Sequence, residues 1–175
     1  MQKFVNPAEI IAQTGIGPGH VVVDLGCGGG FYTLPAAQAV GPSGKVYAVD
    51  ILESKLAVTQ SLARQMGHKN VVVVKGDVDK PILEIEASSV DVVIVASIIH
   101  QVHSKESLIK NMYRMLKTGG AVVAVDWKKE VTPFGPALEV RVSPEDLEDV
   151  MTKSGFRKAK VIHADSFHYG LIFVK

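Results

Sequence analysis

The sequence predicts an α/β protein built on a doubly wound, mostly parallel sheet. Short runs rich in valine and isoleucine alternate with longer amphipathic runs along almost the whole chain, which is the order of βαβ units. The apolar runs are continuous rather than alternating, and hydrophobic residues make up 47% of the chain. Both features are expected of strands that are covered on both faces.

Length, charge and cysteine content limit the classes of protein to which this chain can belong. At 175 residues the chain suits one domain, which we predict over residues 1–175, with an N-terminal helix and lead-in over 1–19. A formal net charge of +1 gives no basic footprint of the kind that nucleic-acid binders carry. One cysteine rules out an internal disulfide. Since no signal-peptide pattern or membrane-spanning run is present, we expect a cytoplasmic protein with no membrane partner.

The strands and helices follow from the periodicity of the apolar residues. Asn6 followed by Pro7 predicts a short capped helix near the start of the chain. Continuous apolar runs predict strands at 20–25, 45–50, 71–75, 91–96 and 120–127. Helical spacing between them predicts helices at 31–40, 53–67, 80–87 and 104–118.

The last part of the chain predicts a helix and a hairpin. Ser143 before Pro144 is a helix-start signal, and Gly155 marks the helix end. Two apolar runs, at 156–163 and 167–174, are then separated by a short turn. Because a short turn joins antiparallel strands, we expect the final strand to enter the sheet antiparallel.

The segment VVVDLGCGGGF, from Val21 to Phe31, carries the most specific pattern. A strand run ends at Asp24, a glycine turn follows, and a helical pattern begins after the turn. Glycines permit positive φ and close approach of the backbone to a ligand. The free N–H groups at a helix N-terminus favour a carboxylate or a phosphate. The segment therefore predicts a site for a nucleotide-like cofactor.

Three acids indicate which cofactor binds. A dinucleotide-binding turn would need a third glycine where Phe31 stands, whereas Asp24 suits a positive group such as an α-amino group. Asp50 ends the second strand, where a carboxylate can accept both hydroxyls of a ribose. Asp77 follows the third strand and can accept a hydrogen bond from an adenine amino group. Adenosine joined to an amino acid is S-adenosylmethionine.

Each of these residues also has a simpler interpretation. Asp50 can cap the helix predicted at 53–67, and Asp77 can cap the segment after it, with Asp79 as a rival for the adenine contact. The glycines can form a tight turn without a ligand. Acids at successive strand ends favour the cofactor interpretation.

The chain resembles the class I S-adenosylmethionine-dependent methyltransferases, and within them the quinone- and arsenite-methylating groups. The matching segments follow in family order as VVDLGCGGG, YAVD, KGDV, DVVIVASIIHQV and MLKTGGAVVAVDW. The resemblance extends from about Asn6 to the C-terminus. It implies a Rossmann-like sheet of seven strands in the order 3-2-1-4-5-7-6 with strand 7 antiparallel, and S-adenosyl-L-methionine lying across the ends of the first two strands.

The resemblance and the strand-end pattern together give a set of expected cofactor contacts. They are Asp24, Gly26, Cys27, Gly28, Gly30, Asp50, Ile51, Asp77, Val78, Ala96 and Ser97. Cys27 lies in the turn and is expected as a small filler there. The RNA cytosine-methylating relatives place a catalytic cysteine after the fourth or fifth strand, and this chain has none there.

The stretch after the fourth strand faces the transferred methyl group in this family. His100 lies there and can deprotonate a substrate, since the unperturbed pKa of histidine is near neutrality, or it can be a hydrogen-bonded loop residue. The Asn/Asp-Pro-Pro-aromatic motif of the amine-methylating relatives is missing. Asp126 can orient or deprotonate a substrate, or cap the following loop, and Trp127 beside it points towards the substrate side. His100, His103 and Asp126 lack a further carboxylate after the fourth strand, so no metal is predicted.

The loop from Lys128 to Arg141 is too long for a simple connector, which is typical of a lid or a solvated loop. Phe134 can close over an apolar substrate, and Arg141 can attract an anionic one. We expect this loop and residues 1–14 to border the substrate cleft and the loop to be mobile, unless a second subunit of a homodimer supplies the cover. His163 and His168 are expected on a solvated hairpin.

The predicted function is direct in-line methyl transfer to a small-molecule substrate. Because the sulfonium methyl is already activated, the protein mainly positions the reactants and excludes water. Two alternatives stay open: an RNA or protein methyltransferase that docks its substrate on the 128–141 loop, and a non-catalytic module that binds S-adenosylmethionine. The sequence leaves open whether N, O, S or C is methylated.

Overall fold

The computed structural model describes residues 5–175; the expected cover residues 1–4 lie outside them. Its strands are β1 (Val21–Leu25), β2 (Lys45–Asp50), β3 (Val71–Lys75), β4 (Val90–Ala96), β5 (Leu116–Trp127), β6 (Arg157–Ile162) and β7 (His168–Val174). They form one seven-stranded sheet in the order β3-β2-β1-β4-β5-β7-β6. β7 is antiparallel to both of its neighbours, and the other pairs are parallel. The predicted order and the antiparallel last strand are confirmed.

Three of the five α-helices in residues 5–175 begin after a residue whose side chain caps them. The five helices are α1 (Pro7–Ile11), α2 (Thr33–Val40), α3 (Glu53–Gln65), α4 (Lys105–Met115) and α5 (Pro144–Lys153), with a 3-10 turn at Leu138–Val140. The side chain of Asn6 caps α1, and those of Ser104 and Ser143 cap α4 and α5. Within residues 5–175, no helix combines the length and apolar character needed to cross a membrane.

The two faces of the sheet are covered by different helices. Along β1, Val23 and Leu25 pack in a core cluster with apolar residues of α4 and α5. Val22, which points to the opposite face, packs in a second cluster with residues of α1 and α2. This alternation leaves the carboxyl ends of β1, β2, β4 and β5 as the edge at which polar side chains can collect.

One predicted helix does not form, and one predicted boundary between a helix and a strand is misplaced. No helix forms over residues 80–87; turns replace it, because Asn111 and Arg114 of α4 donate to backbone carbonyls of this segment, Asn111 to Lys80 and Arg114 to Ile85. The helix expected to reach residue 118 ends at Met115, and β5 begins at Leu116 rather than 120. Leu116 is fully buried and pairs with Val90, so tertiary packing overrides the helical pattern.

Gly44 tests the close packing between α2 and β2. A Cβ atom added there would lie 2.5 Å from the Cβ of Val40 and 2.7 Å from the carbonyl oxygen of His20. Because the backbone must shift to relieve this, we expect Gly44→Ala to lower the free energy of unfolding by about 1–3 kcal/mol, measured by urea denaturation.

Gly17→Ala is the matched control. The nearest atom to an added Cβ is 3.9 Å away, so this variant should be unchanged or gain up to about 1 kcal/mol by restricting the unfolded chain. Equal losses of stability in the two variants would contradict the packing described for Gly44.

Candidate active site

A cleft of about 450 Å³ opens at the carboxyl ends of β1, β2 and β4. It is lined by seven of the residues expected from the sequence, namely Gly26, Gly28, Asp50, Ile51, Asp77, Val78 and Ser97. It is also lined by residues that the sequence analysis did not assign to the cofactor, namely Leu52, Lys55, Gly76, Asp79, Ile98, Gln101, Val102 and His103. Gly76, Leu52 and Ile98 lie within two residues of a predicted strand end, which is the signal that could have found them.

The glycine turn forms one wall of the cleft. Gly26 has a φ of +73° and donates its N–H to the carbonyl of Val49 at 2.8 Å. A side chain at Gly26 would collide with that of Ile98. Gly28 has a φ of +51°, and a Cβ there would meet nothing within 4 Å, so its backbone faces open space. The turn therefore offers bare backbone to a ligand.

Asp50 is fixed in place by two backbone N–H groups. Gly28 donates to one carboxylate oxygen and Leu52 to the other, both at 2.9 Å. Each oxygen keeps further acceptor capacity, and Asp50 lines the cleft. A carboxylate held in this way can accept the two adjacent hydroxyls of a ribose, and the exposed apolar side chains of Ile51 and Leu52 lie beside it.

Asp77 and Asp79, the two candidates for the adenine contact, have different hydrogen-bond partners. Both line the cleft, but Asp79 accepts the backbone N–H groups of His103 and Ser104 at 3.1 and 3.0 Å. The bond from Ser104 is the main reason that the pKa of Asp79 lies below its usual value. Asp79 therefore holds the start of α4, and Asp77 is the acid whose side chain is less committed to backbone groups.

Four expected contacts do not lie on the cleft wall: Asp24, Cys27, Gly30 and Ala96. Asp24 is 2% exposed and accepts the hydroxyl of Thr33 at 2.6 Å. Burial raises its pKa to about 6, although the hydrogen bonds from Thr33 oppose the rise. Asp24 is therefore held beneath the glycine turn by Thr33, and its contact with the cofactor stays a prediction.

Cys27 is a buried filler, as its place in the turn suggested. Its side chain packs with Ala48 and Leu56. Burial raises the pKa of the thiol to about 12, and Asp24 and Asp50 add to the shift. The thiol is therefore neutral at physiological pH and a poor nucleophile or metal ligand.

His100 and Asp126 meet beside the cleft. Nδ1 of His100 lies 2.8 Å from Oδ1 of Asp126, and the two side chains are 9% and 2% exposed. Asp126 also accepts the backbone N–H groups of Ile99 and Trp127, at 2.9 and 2.8 Å. The carboxylate places the proton on Nδ1, which leaves the Nε2 lone pair of His100 available, with no hydrogen-bond partner within residues 5–175.

The loop after β5 is built around Arg141, which is buried. Arg141 is 4% exposed, and its guanidinium donates to four backbone carbonyls and to the hydroxyl of Thr132, all within the 128–141 loop. The guanidinium also lies 5.2 Å from the ring of Trp127. Arg141 therefore organises the loop, and the expected attraction of an anionic substrate is not supported.

Aromatic side chains collect at the end of β5. Phe134 is 39% exposed and lies edge-on to Phe167 at 4.9 Å and to Trp127 at 6.1 Å between ring centroids. His168 is 8% exposed and pairs with Asp165, so the prediction of a solvated hairpin is wrong for this residue. The i,i+3 spacing of Asp165 and His168 is the signal that could have indicated the pair.

The expected cover is described only in part. Ile10 and Ile11 of α1 pack in the core cluster on the α2 face of the sheet. Gln13 bonds both the carbonyl and the N–H of His163, at 2.9 and 3.0 Å. This places the end of the 1–14 segment beside the turn between β6 and β7. Among residues 5–175, no group of three or more His, Cys, Asp or Glu side chains has the arrangement of a metal site.

Asp24→Asn isolates the effect of burying that carboxylate. Because the pKa is raised in the folded state, the folded protein takes up its proton at a higher pH than the unfolded chain does. The contribution of Asp24 to the free energy of unfolding of the wild type therefore rises as the pH falls from about 7 towards 4. Asparagine does not titrate and can still accept from Thr33.

We expect Asp24→Asn to be more stable than the wild type near pH 7.5, by up to about 3 kcal/mol, and the difference to be largely lost near pH 4. Denaturant unfolding at both pH values measures it. A difference that is the same at the two pH values would show that Asp24 does not titrate in this range.

Comparisons with known proteins agree with this geometry. A family model described as a methyltransferase domain matches residues 16–165. A ubiquinone/menaquinone biosynthesis C-methyltransferase of Burkholderia mallei is 34% identical over 133 residues, which are 76% of this chain and 54% of the relative. An arsenite methyltransferase of Halobacterium salinarum is 28% identical over 173 residues, covering 91% of this chain and 42% of the relative. The chain spans about half the length of the curated relatives that it matches.

A solved structure extends the agreement to nearly the whole chain. The crystal structure of an S-adenosylmethionine-dependent methyltransferase from Aquifex aeolicus has a TM-score of 0.90 and 26% identity, and the match covers 98% of this chain and 91% of that one. The family model spans the glycine turn, Asp50 and the His100–Asp126 pair. The chain belongs to the class I S-adenosylmethionine-dependent methyltransferase family, whose cofactor is S-adenosylmethionine.

Proposed function

We propose that this protein transfers a methyl group from S-adenosylmethionine to a small acceptor that carries a dissociable proton, with His100 as the base. The observation that carries this proposal is the hydrogen-bonded His100–Asp126 pair at the ends of β4 and β5. Ser97 and Ile98, in the same loop as His100, line the cofactor cleft. One loop therefore both carries the proposed base and lines the cleft where the methyl group is expected.

The residues of the cleft fit the cofactor. The bare backbone of Gly26 and Gly28 suits the amino-acid part, Asp50 the ribose hydroxyls, and Asp77 with Val78 the adenine. When bound, S-adenosylmethionine supplies a methyl group on a positively charged sulfur. The glycine turn and the loop at Ser97 position the reactants so that little further activation is needed.

His100 removes the proton of the methyl acceptor. Its Nε2 lone pair accepts the proton of the acceptor as the new bond to the methyl carbon forms and the bond from carbon to sulfur breaks. Asp126 holds the imidazole in the tautomer with Nδ1 protonated and stabilises the imidazolium that results. The proton then leaves to solvent, and the cofactor product is uncharged at sulfur.

The relatives' names suggest two acceptor classes, and the site favours one of them. An arsenite acceptor suits soft thiolate ligands, but the thiol of Cys27 is buried and held neutral by its raised pKa. A quinol-type acceptor has a hydroxyl proton for His100 to remove, and the aromatic side chains of Trp127 and Phe134 suit a planar ring. We propose a hydroxylated aromatic acceptor, methylated in the cytoplasm.

Asp50→Ala tests the cofactor assignment. It removes the carboxylate expected at the ribose hydroxyls and leaves the N–H groups of Gly28 and Leu52 without their acceptor. We expect the affinity for S-adenosylhomocysteine to fall by about 1–3 kcal/mol in isothermal titration calorimetry. Unchanged affinity, or tight binding of NAD by the wild type, would contradict the assignment.

His100→Asn tests the base. The asparagine amide can still donate to Asp126, but the Nε2 lone pair is lost. With 1,4-dihydroxynaphthalene as probe acceptor, we expect kcat to fall by about 100-fold to 10,000-fold, with unchanged affinity for S-adenosylhomocysteine. Release of S-adenosylhomocysteine measures the rate.

The exposed His163 gives the matched control, because His163→Asn should leave the rate unchanged. A wild type that methylates arsenite with added thiol but none of a panel of phenols and quinols would overturn the proposed acceptor class. Full turnover by His100→Asn would overturn the role of the base.

A further inference from the structure

His168 and Asp165 form a second imidazole–carboxylate pair, which the proposed reaction does not use. Nδ1 of His168 lies 2.9 and 3.0 Å from the two carboxylate oxygens of Asp165. The same carboxylate accepts the backbone N–H groups of Phe167 and His168, both at 2.7 Å. Burial would raise the pKa of Asp165, but the bonds from His168 and the two N–H groups outweigh it, and the pKa is lowered.

The pair leaves one atom of His168 available. Because the carboxylate of Asp165 accepts from Nδ1, the proton is on Nδ1 and the Nε2 lone pair is unused. Within residues 5–175, no donor reaches Nε2. A side chain that is 8% exposed and held by a carboxylate has a fixed orientation, so this lone pair is a positioned acceptor for a hydrogen bond.

The ring of His168 is packed against Trp127. Their centroids lie 4.1 Å apart, and the two residues face each other across β5 and β7. Arg141 lies 5.2 Å from the Trp127 ring, and a Cβ on Gly135 would fall 2.7 Å from it. Trp127 is thus fixed by three neighbours, and the part of its half-buried ring that stays exposed is a rigid aromatic edge.

The pair also lies near the proposed reaction site. Trp127 directly follows Asp126, which holds His100. Tyr32 lies just before α2. Burial raises the pKa of its hydroxyl, and the negative charges of Asp24, Asp165 and Asp126 raise it further. The two imidazole–carboxylate pairs therefore lie on either side of the end of β5, within electrostatic range of one phenol.

We propose that Nε2 of His168 accepts a hydrogen bond from a hydroxyl group of the methyl acceptor while the acceptor's aromatic ring rests against Trp127. His168 is then a specificity-determining residue, distinct from the base His100. This inference rests on the proposed function, since it gives the acceptor of that reaction a second anchor. It selects hydroxylated aromatic compounds over their methyl ethers.

The test uses binding alone. Trp127 is the only tryptophan of the chain, so its indole N–H signal in a ¹H–¹⁵N spectrum reports this site. The protein, saturated with S-adenosylhomocysteine, is titrated with 2-naphthol and with 2-methoxynaphthalene, which cannot donate. We expect 2-naphthol to shift the indole signal saturably and to bind about threefold to tenfold more tightly.

The variants identify the acceptor of the hydrogen bond. His168→Asn keeps a donor to Asp165 but lacks Nε2, so the preference for 2-naphthol should be lost, whereas His163→Asn should retain it. Asp165→Asn is a second route, because an amide donor reverses the His168 tautomer and turns Nε2 into a donor. It should also remove the preference, whether or not His168→Asn folds.

Three results would overturn the inference: no saturable shift with 2-naphthol, equal binding of the two probes, or a preference that survives in the His168 and Asp165 variants and is lost in His100→Asn. These outcomes are separate from failure of the proposed function. Loss of that function would appear as absent turnover by protein that calorimetry shows to bind S-adenosylhomocysteine, whereas the titration compares the binding of two probes to that same protein.

Discussion

Burial of the central strands on both faces is the constraint on which the rest of the structure depends. Most apolar residues of β1, β4 and β5 are almost completely inaccessible, so a charged side chain in the middle of the sheet would lack solvent and partners. Parallel strands bring their carboxyl ends to one edge. The cofactor cleft and the His100–Asp126 pair both lie at that edge because it is where polar groups can be satisfied.

Three carboxylates at that edge have the same hydrogen-bonding arrangement. Asp50, Asp126 and Asp165 each accept two backbone N–H groups, which fix the side chain and compensate for its loss of solvent. Each carboxylate can accept further hydrogen bonds, and one further group takes up that acceptor capacity. For Asp126 and Asp165 that group is an imidazole, and for Asp50 we propose a ribose.

Local patterns predicted most of the fold and part of the site. The glycine turn and Asp50 were readable because a strand end and the turn after it are contiguous in sequence. Arg141 was not, because its partners are carbonyls that only the folded loop brings together. The bond between Asp24 and Thr33 was not predicted for a related reason, because nine residues separate the two side chains along the chain. The segment at 80–87 lost its predicted helix to contacts from α4, 25 or more residues away.

The loop after β5 shows how such long-range contacts change a functional interpretation. A loop of this length suggested a mobile lid, but five hydrogen bonds from one buried guanidinium tie together four of its carbonyls and the hydroxyl of Thr132. Hydrogen bonds to a charged group are worth about 1.5–3 kcal/mol each, so opening the loop would leave a buried cation without partners. A fixed wall therefore suits the structure better than a lid. Such a wall can keep water from the reacting atoms only if the acceptor itself fills the space against Trp127.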